Sequence, residues 1–193
     1  MPEAGNIAPL IRGLSDANSE RRSAAAASLF KRGSESIEPI LGAWLASAAL
    51  SDLIERAAFG KPKLTVGIAV QPGTFDSIRA ANGSPRLADV PPDQDAREFE
   101  LPFPDGVHLD ILTTRDAAGN GAIAKYLQKF GEGIQQVEVS VKNVDQATEI
   151  LRSQFALQPI YPATRAGADG TRVNFFLVPA PDGRKVLIEL VEV

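Results

Sequence analysis

Residues 135–141 alternate cleanly between polar and apolar, with Val137, Val139 and Val141 on one face and Gln136, Glu138 and Ser140 on the other. A period of two marks a strand with one packed face. A strand covered on both sides reads instead as a continuous apolar run. The polar face therefore meets solvent or a wet cavity. The same alternation runs through residues 64–70, 107–113 and 185–191. One set there is uniformly apolar (Val66, Ile68 and Val70; Leu109 and Ile111; Ile188 and Leu190) and suits a face packed on helices.

Helical spacing appears between the strands. Val144, Ala147, Ile150, Leu151 and Phe155 predict a helix over 144–155, with Asn143 as N-cap and Gln146 three residues on. A shorter helix is expected over 74–82, and extended pieces over 97–102 and 172–178. Pro104-Asp105-Gly106 and Pro181-Asp182-Gly183 each predict a hairpin turn, because Pro presets φ and Gly accepts positive φ. The order therefore occurs twice, at about 64–114 and 134–193, and reads as a βαβββ unit written twice.

Residues 1–60 are different. Helices are expected over 6–14, 19–31 and 36–47, with a further turn near 52–58. Asn18 or Ser19 caps the middle helix and Gly33 ends it. The pattern from Asp16 through Arg22, Leu29 and Gly33 resembles one HEAT-like repeat, departing from it at Arg21 and Arg32. A solenoid needs several repeats to bury its faces, so this segment is either a docking platform or a helical cap. Trp44, near Ile40 and Leu41, belongs to a core or an interface. Lys61-Pro62-Lys63 marks the boundary, giving a helical segment 1–60 and a main domain 61–193.

Composition narrows the chemistry. The 193 residues include no cysteine, which excludes thiolate catalysis and Cys-based zinc sites and fits a cytoplasmic protein. A net charge of -4 with no dense basic block argues against nucleic acid as a partner. No apolar run is long enough for a membrane span, and the N-terminus lacks a signal-peptide pattern.

Four stretches carry a family resemblance. Val66-Gly67-Ile68-Ala69-Val70 resembles a first strand. Ala122 to Leu127, with Gly131-Glu132-Gly133-Ile134, resembles an inter-repeat helix and turn. Ala166 to Val173 resembles a late loop, and Val186 to Glu192 a final strand. In this order they resemble the vicinal oxygen chelate (glyoxalase/bleomycin resistance/dioxygenase) superfamily, and most closely its methylmalonyl-CoA epimerase family. The resemblance implies an α+β fold: tandem βαβββ modules forming a cup-shaped mixed sheet, here preceded by the helical segment. It also implies a divalent metal held by four central strands, and a homodimer.

The family's ligand positions map one by one. The first-strand ligand, commonly His, falls on Thr65; the first-half carboxylate or amide on Asp110; the second His on Gln136; the last Glu on Glu189. Both histidines are thus replaced. His108, the chain's one histidine, shares the face of Asp110 and Leu112 by alternation, and Glu138 adds a carboxylate where a small residue is usual. Loss of two imidazoles weakens Zn²⁺ or Co²⁺, and the oxygen-rich remainder of Asp110, Gln136 and Glu189, with His108, suits Mg²⁺, Mn²⁺ or Ca²⁺ better.

Three readings stay open at this point. The first is an isomerase or lyase with an oxygen-preferring metal and Glu138 as base. The second is metal-free acid–base chemistry by converging carboxylates. The third is a degenerate site on a protein that binds a small carbonyl or acyl compound, or docks a protein partner through its helices, without catalysis.

Overall fold

A computed structural model describes residues 7–180, 183 and 185–193. The chain divides into two compact units. The first contains Val66–Gln135 together with the chain up to Arg32; the second contains Gly33–Thr65 and Gln136–Val193.

In the first unit, β1 (Leu64–Ala69) continues from Val66, parallel to β3 (Val107–Thr114), and β3 is antiparallel to β2 (Ala96–Phe103). The strand order is β2-β3-β1. The turn between β2 and β3 is the expected one: Asp105 and Gly106 both have positive φ, and Phe103 pairs with Val107. Helices α4 (Pro72–Ala81) and α5 (Ala122–Phe130) both contact β3. Val66, Ile68, Leu109, Ile111, Phe75 and Phe99 are fully buried. Short α1 (Ala8–Gly13) is tied to the end of α4 by Asn82, whose amide donates to the Leu14 carbonyl at 2.9 Å.

The second unit is built on β4 (Gly133–Val141) from Gln136 onward, with β7 (Lys185–Glu192) parallel to it. Antiparallel β6 (Arg172–Pro179) follows, then the two-residue β5 (Arg165–Ala166), giving the order β4-β7-β6-β5. Helix α6 spans Val144–Phe155, and Asn143 caps it by accepting from the Gln146 backbone N–H at 2.8 Å. Both were expected. Val137, Val139, Val141, Ile188 and Leu190 are buried on one face of this sheet. Asn174, on that same face, is nearly fully buried and bonds Thr148 of α6 at 3.4 Å.

Two expectations are corrected. Gly33 does not end a helix: α2 runs unbroken through Ser19–Ala46, merging two predicted helices. Leu29, Ile37, Leu41 and Trp44 form a buried stripe along it. Burial of such a stripe outweighs the ~1 kcal/mol that a mid-helix glycine costs. The helix stops where Ser47 turns extended, with ψ of 114°. The stretch near 52–58 is not a helical turn. The helical turn, α3, comes earlier, at Ala48–Ser51, after which Ile54 bridges Val141 and the Glu55 N–H donates to the Ser140 carbonyl at 2.9 Å. The β4 end supplies unpaired backbone groups there, and pairing with them satisfies both segments. The elements expected over 64–114 are present in order as β1, α4, β2 and β3, and ahead of β2 the Ala88 N–H donates to the Glu98 carbonyl at 3.0 Å.

Asn18 caps α2, its side-chain oxygen accepting from Glu20 N–H at 2.8 Å. The 3-10 turn at Ala58–Gly60 carries Phe59 at φ 60° with its ring wholly exposed. Trp44 lies in the core, its indole N–H buried with no partner among the described residues. The start of the first predicted helix at Asn6, and Pro181 and Asp182 of the second predicted turn, lie outside the described residues. No helix among the described residues is long and apolar enough to cross a membrane.

Candidate active site

Apart from Thr65, which closes the Gly33–Thr65 segment of the second unit, the predicted site residues fall into two groups, each formed within its own unit. In the second unit, β4 and β7 run parallel in the register Gln136↔Leu187 and Glu138↔Glu189. Residues paired across adjacent strands share a face. Gln136, Glu138, Leu187 and Glu189 therefore stand on one face, opposite the apolar set packed toward α6. The Gln136 side-chain amide donates to Glu189 Oε2 at 2.5 Å and to Glu138 Oε1 at 3.2 Å. Gln136 is 6% exposed, whereas both carboxylates are half-buried. One buried amide thus bridges two carboxylates, and its N–H groups offset part of their mutual repulsion.

The same register extends to β6. Phe175 pairs with Glu189, and Leu177 with Leu187. The face that holds the carboxylates therefore continues into an aromatic and aliphatic strip. Tyr161 packs edge-on to Phe175, with ring centroids 6.0 Å apart. On the chain leading to that strip, an open cavity of ≈ 240 Å³ is lined by Arg152, Gln158, Pro159, Ile160 and Pro162.

In the first unit, β3 places His108 and Asp110 on one face, with Asp110 in register with Gly67 of β1 and Glu100 of β2. Both site residues are half-buried. His108 Nδ1 lies 2.6 Å from Glu100 Oε1. The imidazole is therefore engaged by a carboxylate on the neighbouring strand. Thr65, at the first-ligand position, is half-buried on β1, on the same side of that strand as Gly67.

Glu98 and Glu100 were not singled out from the sequence. Their register with Leu112 and Asp110 puts both on the His108–Asp110 face. The signal was present: Phe99 and Leu101, the alternate residues, are at most 5% exposed.

The donor set can be tested against the metal that the family resemblance implies. In the second unit the Gln136 amide turns N–H hydrogens toward both carboxylates, the position a cation would need. Among the described residues, no three His, Cys, Asp or Glu side chains converge as a metal-binding group. These residues, as arranged, do not fit a transition-metal site.

Solved structures with the same architecture place this geometry in a family. The crystal structure of methylmalonyl-CoA epimerase from Mycobacterium tuberculosis is 33% identical over 66% of this chain and 85% of its own, with a TM-score of 0.54. This chain belongs to the methylmalonyl-CoA epimerase family of the vicinal oxygen chelate superfamily. A single-residue variant of the Streptomyces coelicolor methylmalonyl-CoA epimerase, in complex with 2-nitronate-propionyl-CoA, is 26% identical, covering 66% of this chain and 94% of its own at a TM-score of 0.52. A methylmalonyl-CoA epimerase in complex with methylmalonyl-CoA and NH4+ is 25% identical, covering 72% and 94% at a TM-score of 0.54. No family model matches the chain, and no curated protein matches it significantly. Within the epimerase family this member carries Thr65 and Gln136 where the resemblance led us to expect histidines.

Proposed function

We propose that this epimerase-family protein binds a small acyl thioester and exchanges the proton on the carbon next to its carbonyl, in a site whose metal-binding residues have been altered. Glu138 is the base. It takes the α-proton, and the electron pair of the broken C–H bond moves into the carbonyl to give a planar enolate. Solvent then donates a proton to the opposite side of the carbon and Glu138 gives its own proton up to solvent, which inverts the centre and leaves Glu138 ionised again. The observation that carries this reading is the Gln136 bridge, which holds two half-buried carboxylates together on one face of the sheet. The acyl-CoA complexes of the epimerase neighbours support the substrate class.

The same bridge supports a second reading. A closed amide–carboxylate triad is also what a site that binds but does not turn over would need to satisfy its polar groups. NMR of methylmalonyl-CoA in D2O separates the two. Under the first reading, wild-type protein dialysed against chelator accelerates loss of the α-proton signal, and Glu138→Gln returns the rate to that of buffer. Wild-type protein that leaves the buffer rate unchanged sinks the catalytic reading; binding without exchange then favours the second.

A further inference from the structure

The chain holds two Asn-Gly pairs, Asn82-Gly83 and Asn120-Gly121, and the fold treats them in opposite ways. Glycine has no Cβ to shield its own nitrogen, so that nitrogen can reach the side-chain carbonyl of a preceding asparagine. In a folded protein the approach happens only where the side chain and the glycine N–H are not held elsewhere, or where the segment opens.

Asn82 is held. It is the half-buried C-cap of α4, and its side-chain amide donates to the Ile78 carbonyl at 2.8 Å as well as to the Leu14 carbonyl at 2.9 Å. Its backbone N–H donates to the Ile78 carbonyl at 3.2 Å, and the Gly83 N–H to the Ala80 carbonyl at 3.4 Å. Ring closure there requires the whole cap to open.

Asn120 is not held. It is exposed, and neither its side chain nor the Gly121 N–H makes a hydrogen bond among the described residues. The chain on either side is anchored. The Ala118 N–H donates to the Asp116 carboxylate at 2.9 Å, and the Gly119 N–H to the Asp116 carbonyl at 3.0 Å. The Gln128 side-chain amide donates to the Ala117 carbonyl at 3.1 Å. Just beyond, the Lys125 N–H donates to the Gly121 carbonyl at 3.0 Å as α5 begins.

We propose that Asn120 is a modification site, deamidated spontaneously through a cyclic imide with water as the only co-reactant. The Gly121 nitrogen gives its proton to hydroxide and attacks Asn120 Cγ. A C–N bond forms, the bond to Nδ2 breaks, and that nitrogen takes a proton from water and leaves as ammonia. Water then adds to one of the two imide carbonyls and opens the ring. Attack on the side-chain carbonyl gives aspartate; attack on the backbone carbonyl gives isoaspartate. Nothing is oxidised or reduced.

Either product places a new negative charge at the entry to α5, where carboxylates already crowd. A Cβ on Gly121 would lie 2.8 Å from Asp95 Oδ2, and Asp116 anchors the preceding turn. Isoaspartate also lengthens the backbone between that turn and α5. Ile123, Ala124 and Leu127 of α5 are buried, and the helix contacts β3, the strand that carries His108 and Asp110. The modification therefore loosens the packing of this helix.

The test is to age wild-type protein and Asn120→Gln in mildly alkaline buffer, folded and in urea, and to follow each site by peptide mass mapping. Glutamine lengthens the side chain and closes the ring poorly. In folded wild type, Asn120 should convert within about threefold of its rate in urea, whereas Asn82 should convert at least about tenfold more slowly than in urea. Asp105-Gly106 and Asp169-Gly170 can form the same imide without a change in mass, so the mass gain reports asparagine alone. Asn120→Gln should remove the first mass gain of the folded protein. Ageing should lower the urea midpoint of wild type and leave that of Asn120→Gln unchanged. Folding that slows Asn120 as much as Asn82, or conversion of Asn82 first, overturns the proposal. Conversion of Asn120 with an unchanged midpoint overturns its link to α5.

Discussion

The side-chain amide of Gln136 reaches across the parallel β4–β7 pair to Glu189 at 2.5 Å while also meeting Glu138 at 3.2 Å. Gln136 is 6% exposed, so water cannot readily replace its bonds. Gln136→Leu should leave two half-buried carboxylates facing each other without a shared donor. We expect a loss of about 1–3 kcal/mol in urea unfolding, read as a lower midpoint at unchanged slope. Adding Glu189→Leu to that variant should cost less than Glu189→Leu alone costs wild type, because the bond is already gone. Strictly additive losses would show that the bridge contributes nothing.

Phe59 sits at φ 60° with its ring 100% exposed. An aromatic side chain in the left-handed region is strained by about 1–2 kcal/mol and here recovers nothing by burial. Phe59→Gly should therefore raise the thermal midpoint, and Phe59→Asn should raise it by a similar amount, since Asn also tolerates that conformation. A lower midpoint for both would mean that the ring makes a contact that offsets the strain.

Asp145 begins α6 and is held by the Thr164 hydroxyl and by the Arg172 guanidinium at 2.5 Å. The Thr164 hydrogen bond first, and the Arg172 one next, pull its carboxyl below the usual carboxylate range. A depressed native value means that the unfolded chain binds the proton more readily. The stabilisation is then complete above the unfolded value of roughly 3.9 and is lost as pH falls through the native one. Asp145→Asn should lower the urea midpoint at pH 7, with the gap from wild type closing as pH falls below the usual carboxylate range. Because the pair is largely exposed, salt should narrow the gap at neutral pH as well. A gap that is constant with pH would assign the effect to geometry rather than charge.

Much of the fold was legible because strands and the α6 cap are local. Every residue of the predicted apolar set, from Val66 to Leu190, is buried, as a period of two requires. Asn143 and Gln146 announced the start of α6, and Pro104-Asp105-Gly106 announced its hairpin. The N-terminal helices were read less well. Gly33 and Pro39 are breakers by local rule, yet the buried stripe from Leu29 to Trp44 carries one helix through both. Packing decides there, and packing is not written in the neighbours along the chain.

The candidate site divides in the same way. Sequence alone set which residues share a face: Gln136 with Glu138, and His108 with Asp110. It also set the absence of histidine at Thr65 and Gln136. Only the tertiary structure decided the partners. It gave His108 to Glu100, bridged Glu138 and Glu189 through Gln136, and laid Arg165 over Tyr161. Alternation within a strand is a property of local backbone geometry. Which strand lies beside it, and in what register, depends on contacts between residues such as Gln136 and Glu189 that are far apart in the chain.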